Sequence, residues 1–169
     1  EGCAHARREA IAAVDRRFPL VITSNSGYPL DQNLYQTVKG ISAAARITEP
    51  GGTILAVSEC RDGIPEGGNF GDLLSSGTTA EQLLEAWQQS SAPMLEQWQV
   101  QILLNIQKTA KLLLYSSMCP DLVRRCGLAP VGILDNAVRE AIHTAGHGCP
   151  VALLPDGPLT IPTVVPFSA

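Results

Sequence analysis

Apolar and polar positions alternate with two different periods along this chain, and the switches between them outline an α/β protein. β-Rich runs at Leu20 to Ser24, Thr53 to Ser58, Leu112 to Ser116 and Val151 to Leu154 predict strands. Helical spacing predicts helices near His5 to Arg16, Asp31 to Ile47, Thr79 to Gln89, Met94 to Lys108 and Leu134 to Thr144. Strands separated by helices imply a three-layer α/β fold, a mainly parallel sheet with helices on both faces. Asp31, just after Pro29, is expected to cap the second helix, Pro50-Gly51-Gly52 to stop it, and Gly146 to Pro150 to end the last one. The proline-rich end from Pro155 to Pro166 reads as an extended tail or edge segment.

The segment from Thr23 to Gly40 carries the most chemistry, because it turns a strand into a helix with two opposite faces. Leu34, Val38, Ile41 and Ala45 fall on one apolar stripe, while Gln32, Tyr35, Gln36 and Lys39 gather within roughly 100° on the other side. Such a polar face can be plain amphipathicity. A cation, a carboxamide and a phenol just after the carboxyl end of a strand also suit a small anionic ligand, since open α/β sheets bind ligands there. Lys39 brings an ammonium that grips a carboxylate more strongly near a partly dehydrated pocket, and Gln36 adds a second donor one turn earlier. Trp98 reads either as a packing aromatic or as a wall of a cleft; its polar setting, Glu96-Gln97-Trp98-Gln99, favours partial exposure at a cleft.

Composition narrows the alternatives. At 169 residues the chain fits one domain that needs no disulfide or metal staple. A net charge of -4 and few aromatic residues give no basic stripe for nucleic acid, and no apolar run approaches membrane-spanning length. Cys3, Cys60, Cys119, Cys126 and Cys149 are odd in number and lack a CxxC pair, which points to reduced thiols and a cytoplasmic setting. Glu1 stands where an initiator methionine would, so a longer parent chain is expected.

Ser24-Asn25-Ser26-Gly27-Tyr28-Pro29-Leu30-Asp31-Gln32-Asn33, continued by Tyr35-Gln36-Thr37-Val38-Lys39-Gly40, strongly resembles the signature of the carboxyl-terminal domain of the lactate racemase family. The resemblance continues through Pro50-Gly51-Gly52, the loop from Asp62-Gly63 to Gly68, and Glu96-Gln97-Trp98-Gln99-Val100-Gln101. Ser26 departs from it, standing where glycine is expected. The resemblance implies the carboxyl-terminal, substrate-anchoring domain (residues 1–169) of a longer two-domain enzyme that interconverts stereoisomers of a 2-hydroxy acid by hydride transfer to and from a nickel-pincer nucleotide. It also implies that Lys39 and Gln36 hold the substrate carboxylate as the catalytic pair of this part, with Tyr35 and Trp98 walling the space for the substrate's side chain. The cofactor, its metal ligand, its tethering lysine and the proton-accepting histidines would belong to the amino-terminal domain, absent here. No cofactor or metal is therefore expected in this fragment, which alone should be inactive; its partners would be a small 2-hydroxy acid and that amino-terminal domain.

Two readings from other classes stay open on the residues alone. The same polar face would serve a non-catalytic module that binds small anions or a partner domain, and a closed pocket there would favour that reading. His143, His147 and Cys149 raise a metal site, against which stand the helix-weakening Gly146, the absence of HExxH and the common pairing of histidine with a helix's negative end. The turn of Ser24, Asn25 and Gly27 could cradle an anion or merely cap the helix, and the loop from Asp62 to Gly71, carrying Glu66, reads as a surface connection able to move over a substrate. No GxGxxG or GxSxG pattern occurs, which leaves dinucleotide binding and serine hydrolysis without support.

Overall fold

The computed structural model describes residues 1–65, 68–75, 80–90, 92 and 94–165. It opens with a helix, α1 (Gly2–Ala10), and a short strand, β1 (Ile11–Val14). β2 (Phe18–Ser24), α2 (Leu34–Ala45) and β3 (Thr48–Val57) follow, then α3 (Asn69–Ser75), α4 (Ala80–Gln89) and α5 (Gln97–Gln107) before β4 (Lys111–Tyr115). The chain continues through α6 (Pro120–Arg125), β5 (Ala129–Val131), α7 (Leu134–Ala145) and β6 (Val151–Leu154), then a 3-10 turn at Gly157–Leu159 and β7 (Ile161–Val164).

Five strands form one parallel sheet in the order β5-β4-β3-β2-β6. The chain steps outward from β2 to β5 and then returns across the sheet to β6, so right-handed crossovers place α2, α5 and α6 on one face and α7 on the other. This is the expected three-layer arrangement. Leu20 and Val21 of β2 and Ile54 and Leu55 of β3 are fully buried, as strands covered on both faces must be. The apolar stripe of α2 meets the sheet as expected, with Leu34, Val38 and Ile41 completely buried and Ala45 half-buried. Burying each large side chain of that stripe contributes about 1.5–3 kcal/mol, which fixes the rotation of α2 and thereby which side chains it shows to solvent.

Several expectations are corrected. The helix expected from His5 to Arg16 stops at Ala10, because Ile11–Val14 pairs in parallel with Ile161–Val164 in a separate two-stranded sheet. About a third of the proline-rich end is β7, an edge strand as one of its two expected readings had it, and its partner lies near the other end of the sequence. Asn33, not Asp31, caps α2: its side chain accepts from the Gln36 backbone N–H at 3.0 Å, while Asp31 accepts from the Glu59 N–H at 3.3 Å. Pro50-Gly51-Gly52 lies inside β3, and α2 has already ended at Ala45 with Arg46 as its cap. Gly146 does end α7, at φ 101°. Ser26, where glycine is expected, adopts φ 62°, so the position demands the left-handed backbone even though the residue is serine. α3, α6 and β5 were not foreseen. No helix among the described residues is long and apolar enough to cross a membrane, and all five cysteines are unpaired.

Candidate functional site

α2 starts at the carboxyl end of β2, and its polar face is set by the burial of the opposite stripe. Underneath, Thr37 Oγ1 lies 2.6 Å from Ser58 Oγ and 3.2 Å from Cys60 Sγ, which locks the helix to the segment after β3. Burial pushes the Cys60 thiol up from its ordinary value, so it serves as an inert polar filler there. Leu34 N–H donates to the Gly63 carbonyl at 2.9 Å and Asp62 N–H to the Gln32 carbonyl at 2.9 Å, so the start of the Asp62 loop is hydrogen-bonded to the entry of α2. Glu66 of that loop lies outside the described residues.

Four of the sequence-assigned side chains come together. Lys39 Nζ donates to Gln36 Oε1 at 2.6 Å and stands 5.8 Å from the centre of the Tyr35 ring. The Tyr35 and Trp98 rings meet edge to face at 6.2 Å and 81°. Gln32, grouped with them by spacing, instead precedes the helix in the turn. Lys39 is exposed and Trp98 keeps 52% of its surface in water, beside Leu95 at 74%. The cluster is thus an open, exposed surface with apolar side chains at its edge.

The arrangement is one of donors. Among the described residues no carboxylate lies within ion-pair distance of Lys39. Because the Gln36 carbonyl oxygen accepts from the ammonium, its NH₂ group remains a donor near the other ammonium hydrogens. An ammonium and an amide N–H side by side match the two oxygens of a carboxylate. In open water such a pair holds an anion weakly; a wall closing over it would strengthen the attraction severalfold by lowering the local dielectric.

Three supporting residues were not assigned from sequence. Phe70, fully buried, packs edge to face against the inner side of Tyr35 at 5.4 Å. Glu96, at φ 64°, accepts from the Phe70 N–H at 3.1 Å and so ties the start of α3 to the start of α5. Gln99, 1% exposed, donates from Nε2 to the Tyr35 carbonyl at 2.8 Å. The polar setting of Trp98 was therefore misleading in part: Gln97 and Gln99 turn inward, and only Trp98, about 100° from each around the helix, faces out. The one sequence signal for them was helical phase, since Gln99 shares the inward side with Leu103 and Ile106.

The turn from Ser24 to Gly27 is tied to neighbouring backbone. Ser24 Oγ donates to the Pro155 carbonyl, Asn25 Nδ2 to the Leu30 carbonyl, and the Ser26 N–H to Ser24 Oγ at 3.2 Å. A separate cavity of about 880 Å³ opens beyond the carboxyl ends of β2 to β5, floored by Leu114 and Val123 and edged by Asp31, Glu59 and Arg124; none of Tyr35, Gln36, Lys39 or Trp98 lines it. His143 and His147 stack edge to face at 6.0 Å. Among the described residues no group of three or more His, Cys, Asp or Glu side chains could hold a metal ion, so Cys149 does not complete a site with them.

Residues 14–161 match a family model described as the lactate racemase C-terminal domain. A lactate racemase of Lactiplantibacillus plantarum is 34% identical over 143 residues, covering 82% of this chain and 33% of that protein. A lactate racemase of Thermoanaerobacterium thermosaccharolyticum is 32% identical over 144 residues, again covering 82% of this chain and 33% of the relative. Among solved structures, the lactate racemase apoprotein of Thermoanaerobacterium thermosaccharolyticum superposes with a TM-score of 0.85 at 29% identity, over 95% of this chain and 39% of that one. The chain thus spans about a third of the length of the curated relatives it matches.

Proposed function

We propose, from the premise that the chain belongs to the lactate racemase C-terminal domain family, that it is the carboxylate-anchoring part of a two-domain racemase acting on a 2-hydroxy acid. The observation that carries this reading is the contact of Lys39 with Gln36, which leaves two kinds of donor on an open surface beside Tyr35 and Trp98. One carboxylate oxygen would take the Lys39 ammonium and the other the Gln36 amide, with the substituent on the α-carbon against the aromatic rings. Two-point anchoring fixes the direction of the α C–H bond while leaving the carbon itself free to invert, which a racemase requires of its anchoring residues. The openness of the cluster supports a second domain as the missing wall rather than a self-contained binding module, and closure by that domain would exclude water and strengthen the ion pair.

The residues of the cluster do not fit the metal of a nickel-pincer nucleotide: they offer an ammonium, an amide and aromatic rings, and among the described residues no group of three or more His, Cys, Asp or Glu could hold a metal ion. We assign that cofactor to the amino-terminal domain. The test is to join this chain to its upstream segment, supply the nickel-pincer nucleotide, and screen 2-hydroxy acids for decay of optical rotation. Decay with at least one such acid is expected; retention of rotation by every acid tried, in a folded and loaded protein, would overturn the assignment.

A further inference from the structure

Gln99 sits next to Trp98 on α5 yet points the other way, into the contact between α5 and α2, where it is 1% exposed. A primary amide in that position is costly unless bonded, and leucine would fill a similar volume without the cost. Its Nε2 reaches the backbone carbonyl of Tyr35 at 2.8 Å, across 64 positions of sequence. A helical carbonyl has a second lone pair to spare, so the bond adds to the α2 ladder instead of breaking it. The two residues it joins are the base of one aromatic wall and the immediate neighbour of the other, whose rings stand 6.2 Å apart. Phe70 holds the Tyr35 ring from behind at 5.4 Å and leaves it little room to retreat.

We infer that Gln99 is a positioning residue: by pinning α5 to the Tyr35 carbonyl it sets the gap between Tyr35 and Trp98, and so the size of the α-substituent that the cleft accepts. The inference rests on the anchoring role proposed above for Lys39 and Gln36. Gln99→Met keeps the volume and removes the donor. In this chain carrying Trp87→Phe, so that Trp98 is its one tryptophan, the near-ultraviolet circular dichroism of Trp98 should change in Gln99→Met while the far-ultraviolet spectrum stays the same. In the protein joined to its upstream segment, the preference between a short and a longer 2-hydroxy acid, measured as kcat/KM, should fall by about tenfold, mainly through KM. A Trp98 spectrum and a preference both unchanged in Gln99→Met would overturn the inference. Should Lys39→Ala leave KM untouched while Gln99→Met still alters the Trp98 spectrum and the size preference, the anchoring reading fails and the spacing role of Gln99 stands.

Discussion

Replacing Lys39 by alanine separates folding from function sharply. Lys39 is exposed, its side-chain hydrogen bond among the described residues is to Gln36 three residues back, and the buried stripe of Leu34, Val38 and Ile41 on the far side of α2 is untouched. The lost contact is worth about 0.2–0.5 kcal/mol, and alanine's higher helix propensity offsets part of it. Net stability should therefore move by less than about 0.5 kcal/mol, or no more than about 2 °C in melting midpoint. The loss in turnover is set by a different quantity, a hydrogen bond from a charged donor to the substrate carboxylate, worth about 1.5–3 kcal/mol. At 1.36 kcal/mol per tenfold, kcat/KM should drop by roughly tenfold to a hundredfold. The assay is racemisation of a 2-hydroxy acid by the protein joined to its upstream segment, beside a thermal melt of the same samples. Raising ionic strength should weaken substrate capture by the wild type and affect the variant less, because the attraction being screened is gone. Undiminished kcat/KM in Lys39→Ala, with the melt unchanged, would refute the reasoning.

The opposite face of the same helix should behave in reverse. Val38→Asp puts an unpaired carboxylate at a fully buried site, costing several kcal/mol of a total near 5–15 kcal/mol, and the cooperative melt should be lost or severely lowered. Phe70→Ala should cost about 3–5 kcal/mol, lowering the melting midpoint by roughly 10 °C, since a buried ring and its packing against Tyr35 both go; a shift under about 2 °C would contradict the packing described. Thiol labelling at pH 8 should modify exposed Cys3 and Cys119 quickly and leave Cys60 and Cys126 protected until unfolding, because burial pushes both thiols up, that of Cys126 to about 11. The Cys126 thiol titrates near 8.5 once unfolded, so its share of stability is intact below that pH and is lost as the pH climbs toward 11; a denaturant midpoint constant across that window would contradict its burial.

The sequence was most legible where a single periodicity governs many residues. β6 coincides with its expected run, β2 and β4 differ by a residue or two at their ends, and α2 and α5 lie within their expected spans, because burial of one stripe or of both strand faces leaves a repeating mark. β1 escaped because what makes it a strand is β7, 150 residues away, and local composition favoured helix; the same distant pairing decides the proline-rich end, left between tail and edge segment, in favour of an edge strand. The cap of α2 was misassigned because Asp31 and Asn33 both suit the role, and only tertiary bonds from Asp31 to the Glu59 segment decide between them. In the candidate site, Tyr35, Gln36 and Lys39 were readable as one helical face. Phe70, Glu96 and Gln99 were not, since each acts through a partner at least 26 positions away.

The most direct test of the central claim is a crystal structure of the protein joined to its upstream segment with a 2-hydroxy carboxylate bound. The account places one carboxylate oxygen at about 2.7–3.0 Å from Lys39 Nζ and the other at a similar distance from Gln36 Nε2, with the α-substituent against Tyr35 and Trp98. A carboxylate seated instead in the cavity beyond β2 to β5, with the Lys39 and Gln36 side chains still bonded only to each other, would contradict it.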